Sequence, residues 1–193
     1  MAAKALFDDE TKTWESLYRD SSEARWGLFQ NYARKRIVAR LELCLSLLPS
    51  LTGKDVIELG CGPGYYGKRI IADKANWTGL DISEGMLAVC QKNTLSHRLV
   101  RSDVLHLPFR PSCCDVLLCI GVVSYLTKSG IASLFSEAVR VLRKGGIFIT
   151  QTVRLDPLTW IRCRLPHPIP RPVRIPGPFY PRNPHTITRL LED

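Results

Sequence analysis

Between residues 51 and 153 short apolar runs alternate with stretches of helical period, and few folds accept that order. The DVIEL run from Asp55 is stopped by Gly60 and reads as a strand. A helix follows, with Tyr66, Ile70 and Ile71 on one face. The WTGL run from Trp77 is a second strand, after which Ser83 is placed to N-cap a helix carrying Met86, Leu87 and Cys90. The LVR run from Leu99 is a third. The DVLLCI run from Asp115 to Ile120 is apolar almost throughout, as a strand covered on both faces requires. Ile131, Leu134, Phe135, Ala138, Val141 and Leu142 mark an amphipathic helix that Gly145 and Gly146 are expected to end, with a fifth strand over residues 147–153. Strands and helices in this order make βαβ units and hence a doubly wound parallel sheet.

The flanks differ from this body. Residues 1–50 form an N-terminal arm. Its apolar positions Trp26, Phe29, Ala33, Ile37, Leu41, Cys44 and Leu48 step by three and four, so one long helix is expected, closed by Pro49. A shorter helix is expected over residues 9–20, presenting Trp14, Leu17 and Tyr18. Residues 154–193 hold seven Arg, no Lys and three acids, and eight of the 13 prolines lie between Pro166 and Pro184. That is a basic, Pro-rich segment, ending in a short helix from Thr186.

Composition narrows the class further. Lys plus Arg is 27 and Asp plus Glu 18, a formal charge of +9 on 193 residues. No run of about eighteen apolar residues occurs, which argues against a spanning helix. Asp8, Asp9 and Glu10 stand where a secretory signal carries cations, so a cytoplasmic location is expected. Seven scattered cysteines without a C-x-x-C pair read as reduced thiols rather than a zinc site. No metal is expected.

Two local signals carry chemistry. Glu58, Gly60, Cys61, Gly62 and Gly64 sit between a strand and a helix, where glycines let the backbone turn sharply and let a ligand rest on it. The same loop also occurs as a tight turn with no ligand. Asp81 ends the second strand, 21 residues beyond Gly60, where a nucleotide-binding sheet holds a ribose diol. An Asp before Ser alone would read as a helix cap; paired with the loop it reads as a ligand contact.

The segments VIELGCGPGYYG, GLDISEGML, RSDVLHLPF, FRPSCCDVLLCIGVVSYL and EAVRVLRKGGIFI resemble, in order, the motifs of class I S-adenosylmethionine-dependent methyltransferases. They are most similar to the small-molecule branch represented by ubiquinone and menaquinone biosynthesis enzymes. The resemblance covers about residues 54–153 and implies S-adenosyl-L-methionine as cosubstrate on a Rossmann-like sheet. It implies that Glu58 and the backbone of Gly60, Cys61 and Gly62 meet the methionine end, and that Asp81 takes the ribose hydroxyls. Ile82 would pack on the adenine, with Asp103 and the Val104 amide on its polar edge. The backbone at Cys119 and Ile120 would line the sulfonium. His106 and Tyr125 are the candidate bases, each of which also reads as a surface or packing residue.

The resemblance also shapes the remaining expectations. Residues 121–125 (GVVSY) stand where enzymes methylating exocyclic base amines carry Asn/Asp-Pro-Pro-aromatic, which argues against that chemistry. The type has two more strands after the fifth helix, and this chain is expected to lack them, exposing a sheet edge that favours a homodimer. Trp14, Tyr18 and Tyr32 are candidate lid aromatics. Arg162, Arg164, Arg171 and Arg174 suit an acidic acceptor or an anionic membrane surface. The leading function is methyl transfer to a small molecule; a non-catalytic binding module and an RNA methyltransferase are the alternatives.

Overall fold

A computed structural model describes residues 28–96 and 98–151. Helix α1 spans Leu28–Ser46, and β1 Asp55–Leu59 leads through the glycine loop into α2, Tyr65–Ala72. Strand β2, Asn76–Asp81, is followed by α3, Glu84–Thr94, and β3, Leu99–Arg101. Strand β4, Cys114–Ile120, runs into a 3₁₀ turn at Val123–Tyr125, then α4, Lys128–Val141, and β5, Leu142–Gln151. The strand order is β3-β2-β1-β4-β5, and every pairing is parallel. The chain therefore winds outward in one direction through β2 and β3, and in the other through β4 and β5. The reversal falls between β1 and β4, and in such sheets ligands sit at the carboxyl ends there.

Each face of the sheet has its own core. On one, Val56, Trp77, Val116 and Leu118 pack with Leu41 and Cys44 of α1, Ile70 of α2 and Cys90 of α3. On the other, Ile57, Leu59, Leu80 and Leu117 pack against Ile131, Leu134 and Ala138 of α4. Alternation along β1 and β4 supplies both faces, which is why these two central strands read as continuous apolar runs. Among the described residues two helix starts carry side-chain caps, the first of them at Ser83 as expected. The Ser83 hydroxyl accepts from the Met86 amide at 3.1 Å, and Thr127 Oγ1 from the Gly130 amide at 3.1 Å.

One expectation is corrected. The helix after β4 ends at Val141, not at Gly145 and Gly146, and Leu142 already belongs to β5. The last helical carbonyls are taken by the segment entering β4: the Ser112 amide donates to Arg140 O and the Cys113 amide to Val141 O. With those carbonyls satisfied and Leu142 paired to Cys114, the chain is drawn into the sheet early. The two glycines instead lie in an irregularity, where the register jumps from Cys114–Leu142 to Val116–Ile147. A Cβ on Gly146 would stand 2.9 Å from Arg143 O and 3.1 Å from Asp115 O, so the close backbone approach needs glycine.

The six cysteines within the described residues are free thiols, five of them buried, as core-filling residues are. Among the described residues no helix is long and apolar enough to cross a membrane. The expected helix over residues 9–20, the candidate lid aromatics Trp14 and Tyr18, the Pro-rich segment and the expectation about strands beyond the fifth all concern residues outside those described. The side chain of Tyr32 is outside them too.

Candidate functional site

Three chain segments meet at the carboxyl edge beside the reversal point: the loop leaving β1, the end of β2 and the end of β4. The loop is held by its own amides. Gly60 and Cys61 both donate to Leu80 O, at 2.7 and 3.0 Å, which folds the loop over the end of β2. Gly60 has φ +69°, and a Cβ there would lie 2.3 Å from Val122 Cγ2. Glycine is thus required twice over, by conformation and by the close approach of the β4 exit. Gly62 is different: its φ is +50°, yet an added Cβ would meet nothing within 4 Å. Gly121, just past β4, faces open space in the same way.

Asp81, only 8% exposed, ties this loop to the next helix. Its Oδ2 accepts from the Gly62 amide and its Oδ1 from the Ser83 amide, both at 2.9 Å. A carboxylate accepts at about four positions, so it can hold two amides and a diol as well. The helix-cap reading and the ligand reading of Asp81 are therefore compatible. Asn93 of α3 adds a brace, its Nδ2 donating to Pro63 O at 2.8 Å.

Glu58 is buried, and Trp77 Nε1 donates to its Oε2 at 2.9 Å. Among the described residues no donor reaches Oε1. Burial pushes the Glu58 carboxyl well above the ordinary range; the indole bond opposes this, and Cys90 and Asp81 add to it. A buried carboxylate with an unpartnered oxygen, in a loop whose glycines leave space, fits a ligand bearing a cationic amine. Trp77 was read from the sequence only as a strand residue. The signal that could have found it is the pair of glycines, Gly67 and Gly79, that its ring needs.

The other expected residues lie around this centre. Ile82 is half-buried beside Asp81, and Ile120 half-buried at the end of β4. Cys119 is fully buried; its carbonyl accepts from Thr150 Oγ1 at 3.0 Å, and burial pushes its thiol up to about 12. Asp103 is exposed and its Oδ1 accepts from the Leu105 amide at 3.0 Å, a turn that carries the buried Val104. That loop is pinned to α4 through Arg140, which donates to Phe109 O and Leu107 O, and through Glu137, which accepts from the Leu107 amide. His106 is exposed; its amide donates to Asp103 O at 3.3 Å. Burial pushes the Tyr125 phenol up to about 12, which disfavours its phenolate form. A separate hollow of about 460 Å³, between the end of α1 and the α2–β2 turn, is lined by Leu45, Leu48, Leu51, Ala72 and Lys74 and includes no residue of the glycine loop.

Residues 56–146 match the family model of the methyltransferase domain. The chain carries a class I, S-adenosylmethionine-dependent methyltransferase domain. Over 112 residues it is 29% identical to the malonyl-[acyl-carrier protein] O-methyltransferase of Pectobacterium atrosepticum, covering 58% of this chain and 44% of that one. Over 163 residues it is 25% identical to the ubiquinone biosynthesis O-methyltransferase of Sodalis glossinidius, covering 79% and 60%. The chain thus spans about half the length of these relatives. The solved magnesium protoporphyrin IX methyltransferase of Synechocystis PCC 6803, with bound S-adenosylhomocysteine, superposes at a TM-score of 0.80 over 99% of this chain and 86% of its own. At 18% identity that likeness speaks for the methyltransferase fold alone. The Rossmann-like class and the family expected from the motifs are both met, and S-adenosylmethionine is the cosubstrate of that family.

Proposed function

We propose that the protein binds S-adenosylmethionine at the carboxyl edge and transfers its methyl group to a small-molecule oxygen acceptor. The observation that carries this reading is the open glycine loop, with its Gly62 amide on Asp81 and the half-satisfied Glu58 carboxylate beneath it. When bound, the cosubstrate supplies a methyl group made electrophilic by a sulfonium. The chain's part is to hold and to align. Glu58 Oε1 accepts from the ammonium end, Asp81 from the ribose hydroxyls, and the backbone at Gly62 and Gly121 leaves room for the ligand to lie against it. Ile82, Val104 and Asp103 border the adenine, and Ile120 lies toward the sulfonium.

The acceptor chemistry follows from what the site offers. The Tyr125 phenol, whose ionisation burial opposes, serves as a donor that orients the acceptor. A carboxylate acceptor is already ionised at neutral pH and needs no base. A phenolic one needs a proton acceptor, and His106 is the residue we assign that role. The malonyl and ubiquinone O-methyltransferases among the relatives support both classes. Methyl transfer from radiolabelled S-adenosylmethionine, offered small-molecule extract and RNA side by side, tests the reading. Label in a small molecule supports it; label in RNA alone, or binding without turnover, refutes it.

The Arg-rich segment is the proposed determinant of an acidic or lipid-like acceptor. Residues 154–191 carry seven Arg against one acid, Asp156, and Arg forms bidentate contacts to carboxylate or phosphate. Arg171→Glu with Arg174→Glu is expected to lower turnover and sedimentation with anionic liposomes at low salt, while cosubstrate binding holds. If neither turnover nor sedimentation changes, the segment is a linker.

A further inference from the structure

The parallel register sets Glu58 of β1 opposite Gly79 of β2. Trp77, two residues before Gly79, rises from the same face of the sheet. Its indole lies where a side chain at 79 would stand: a Cβ on Gly79 would be 2.5 Å from Trp77 Cη2. From above, α2 contributes Gly67, whose added Cβ would be 2.4 Å from Cζ2. Two glycines on two elements thus form a slot for one ring, which is 2% exposed. Packing alone would be served by any large apolar side chain. What the slot does besides is carry a single N–H donor to Glu58 Oε2, at 2.9 Å.

We propose that Trp77 is a positioning residue: its indole N–H holds one oxygen of Glu58 and so presents the other to the ammonium end of the cosubstrate. The inference rests on the cosubstrate reading above and names a residue that reading does not require. A second effect runs in the same direction. Burial disfavours the charged form of Glu58, and so do Asp81 at the end of β2 and Cys90 on α3; the indole bond favours it. Cys61 of the loop, buried beside Cys90, has its own thiol raised by that neighbour. An ammonium ligand needs Glu58 ionised, so the indole sustains affinity as pH falls.

The test compares two ligands on the full chain by calorimetry between pH 5.5 and 8.5. S-adenosylhomocysteine carries the amino acid end; 5′-methylthioadenosine lacks it. Trp77→Phe keeps a ring in the slot and removes the donor. It is expected to weaken S-adenosylhomocysteine about tenfold at pH 7, to move the acid-side loss of affinity to higher pH, and to leave methylthioadenosine within about twofold. In a Glu58→Gln background Trp77→Phe adds no further loss. Gly79→Ala, which displaces the ring without removing it, gives the same ligand-selective loss and serves if Trp77→Phe does not fold. Equal weakening of both ligands, or unchanged affinity and pH profile for S-adenosylhomocysteine, overturns the positioning role. Wild-type protein that binds neither ligand overturns the cosubstrate reading instead.

Discussion

The two ends of one sheet are built on opposite electrostatic plans. At the amino end Asp55 opens β1, Asp115 lies near the start of β4 and Arg143 near the start of β5. Arg143 donates to Asp55 Oδ2 at 2.7 Å and to Asp115 Oδ2 at 2.8 Å, and the Asp55 amide donates to Asp115 as well. The amide and the Arg143 guanidinium hold the Asp115 carboxyl below its ordinary value. Asp55, Asp115 and Arg143 thus each have a charged protein partner, at a partly exposed site where water screens the rest. At the carboxyl end Glu58 is buried, its hydrogen-bond donor is neutral, and among the described residues no cation pairs with it. A fold that needed only stability would not leave a carboxylate so. The first end is closed by its own side chains; the second is built to be completed by a ligand.

Breaking the ligand end should cost most. Asp81→Ala removes both the proposed ribose contact and the acceptor that holds the Gly62 amide. S-adenosylhomocysteine affinity should fall tenfold or more, since a charge-assisted hydrogen bond is worth roughly 1.5–3 kcal/mol. Calorimetry checks this, and unchanged affinity would remove Asp81 from the site.

The next test sharpens the contrast through pH. The folded-state value of Glu58 lies above its unfolded one. Below the unfolded value its contribution to stability is fully present, and it is lost as pH rises through the raised folded value. Asp115, held low, has the opposite sign: its contribution is present above the unfolded value and is lost as pH falls through the folded one. Ligand-free Glu58→Gln should therefore gain Tm over wild type at pH 8 and match it at pH 4, while binding S-adenosylhomocysteine more weakly. A thermal melt series in which the variant tracks wild type at both pH values would show that Glu58 carries no such penalty.

The smallest effect belongs to the amino end. Arg143→Ala should lower Tm slightly, less so in high salt because the pairs are partly exposed, and leave S-adenosylhomocysteine affinity unchanged. A loss of affinity there would mean that the two ends are coupled, and the comparison would fail.

Sequence alone determined the alternation of strands and helices, the glycine loop, the Ser83 cap and the place of Asp81. These rest on periodicity and on residues close in the chain, which act through local backbone geometry. The end of α4 was not legible, because Gly145 and Gly146 look like a helix stop while the deciding donors, Ser112 and Cys113, lie about thirty residues earlier. The upward push on the Tyr125 phenol was hidden for a similar reason: it comes from burial, which residue type does not reveal. The tertiary structure alone decided that Trp77 reaches Glu58. That contact needs the β1–β2 register, a gap at Gly79 and a second gap at Gly67 on α2, three facts from different elements. Each is unremarkable in its own segment, and only packing the helix on the paired strands brings a donor and a buried carboxylate to 2.9 Å.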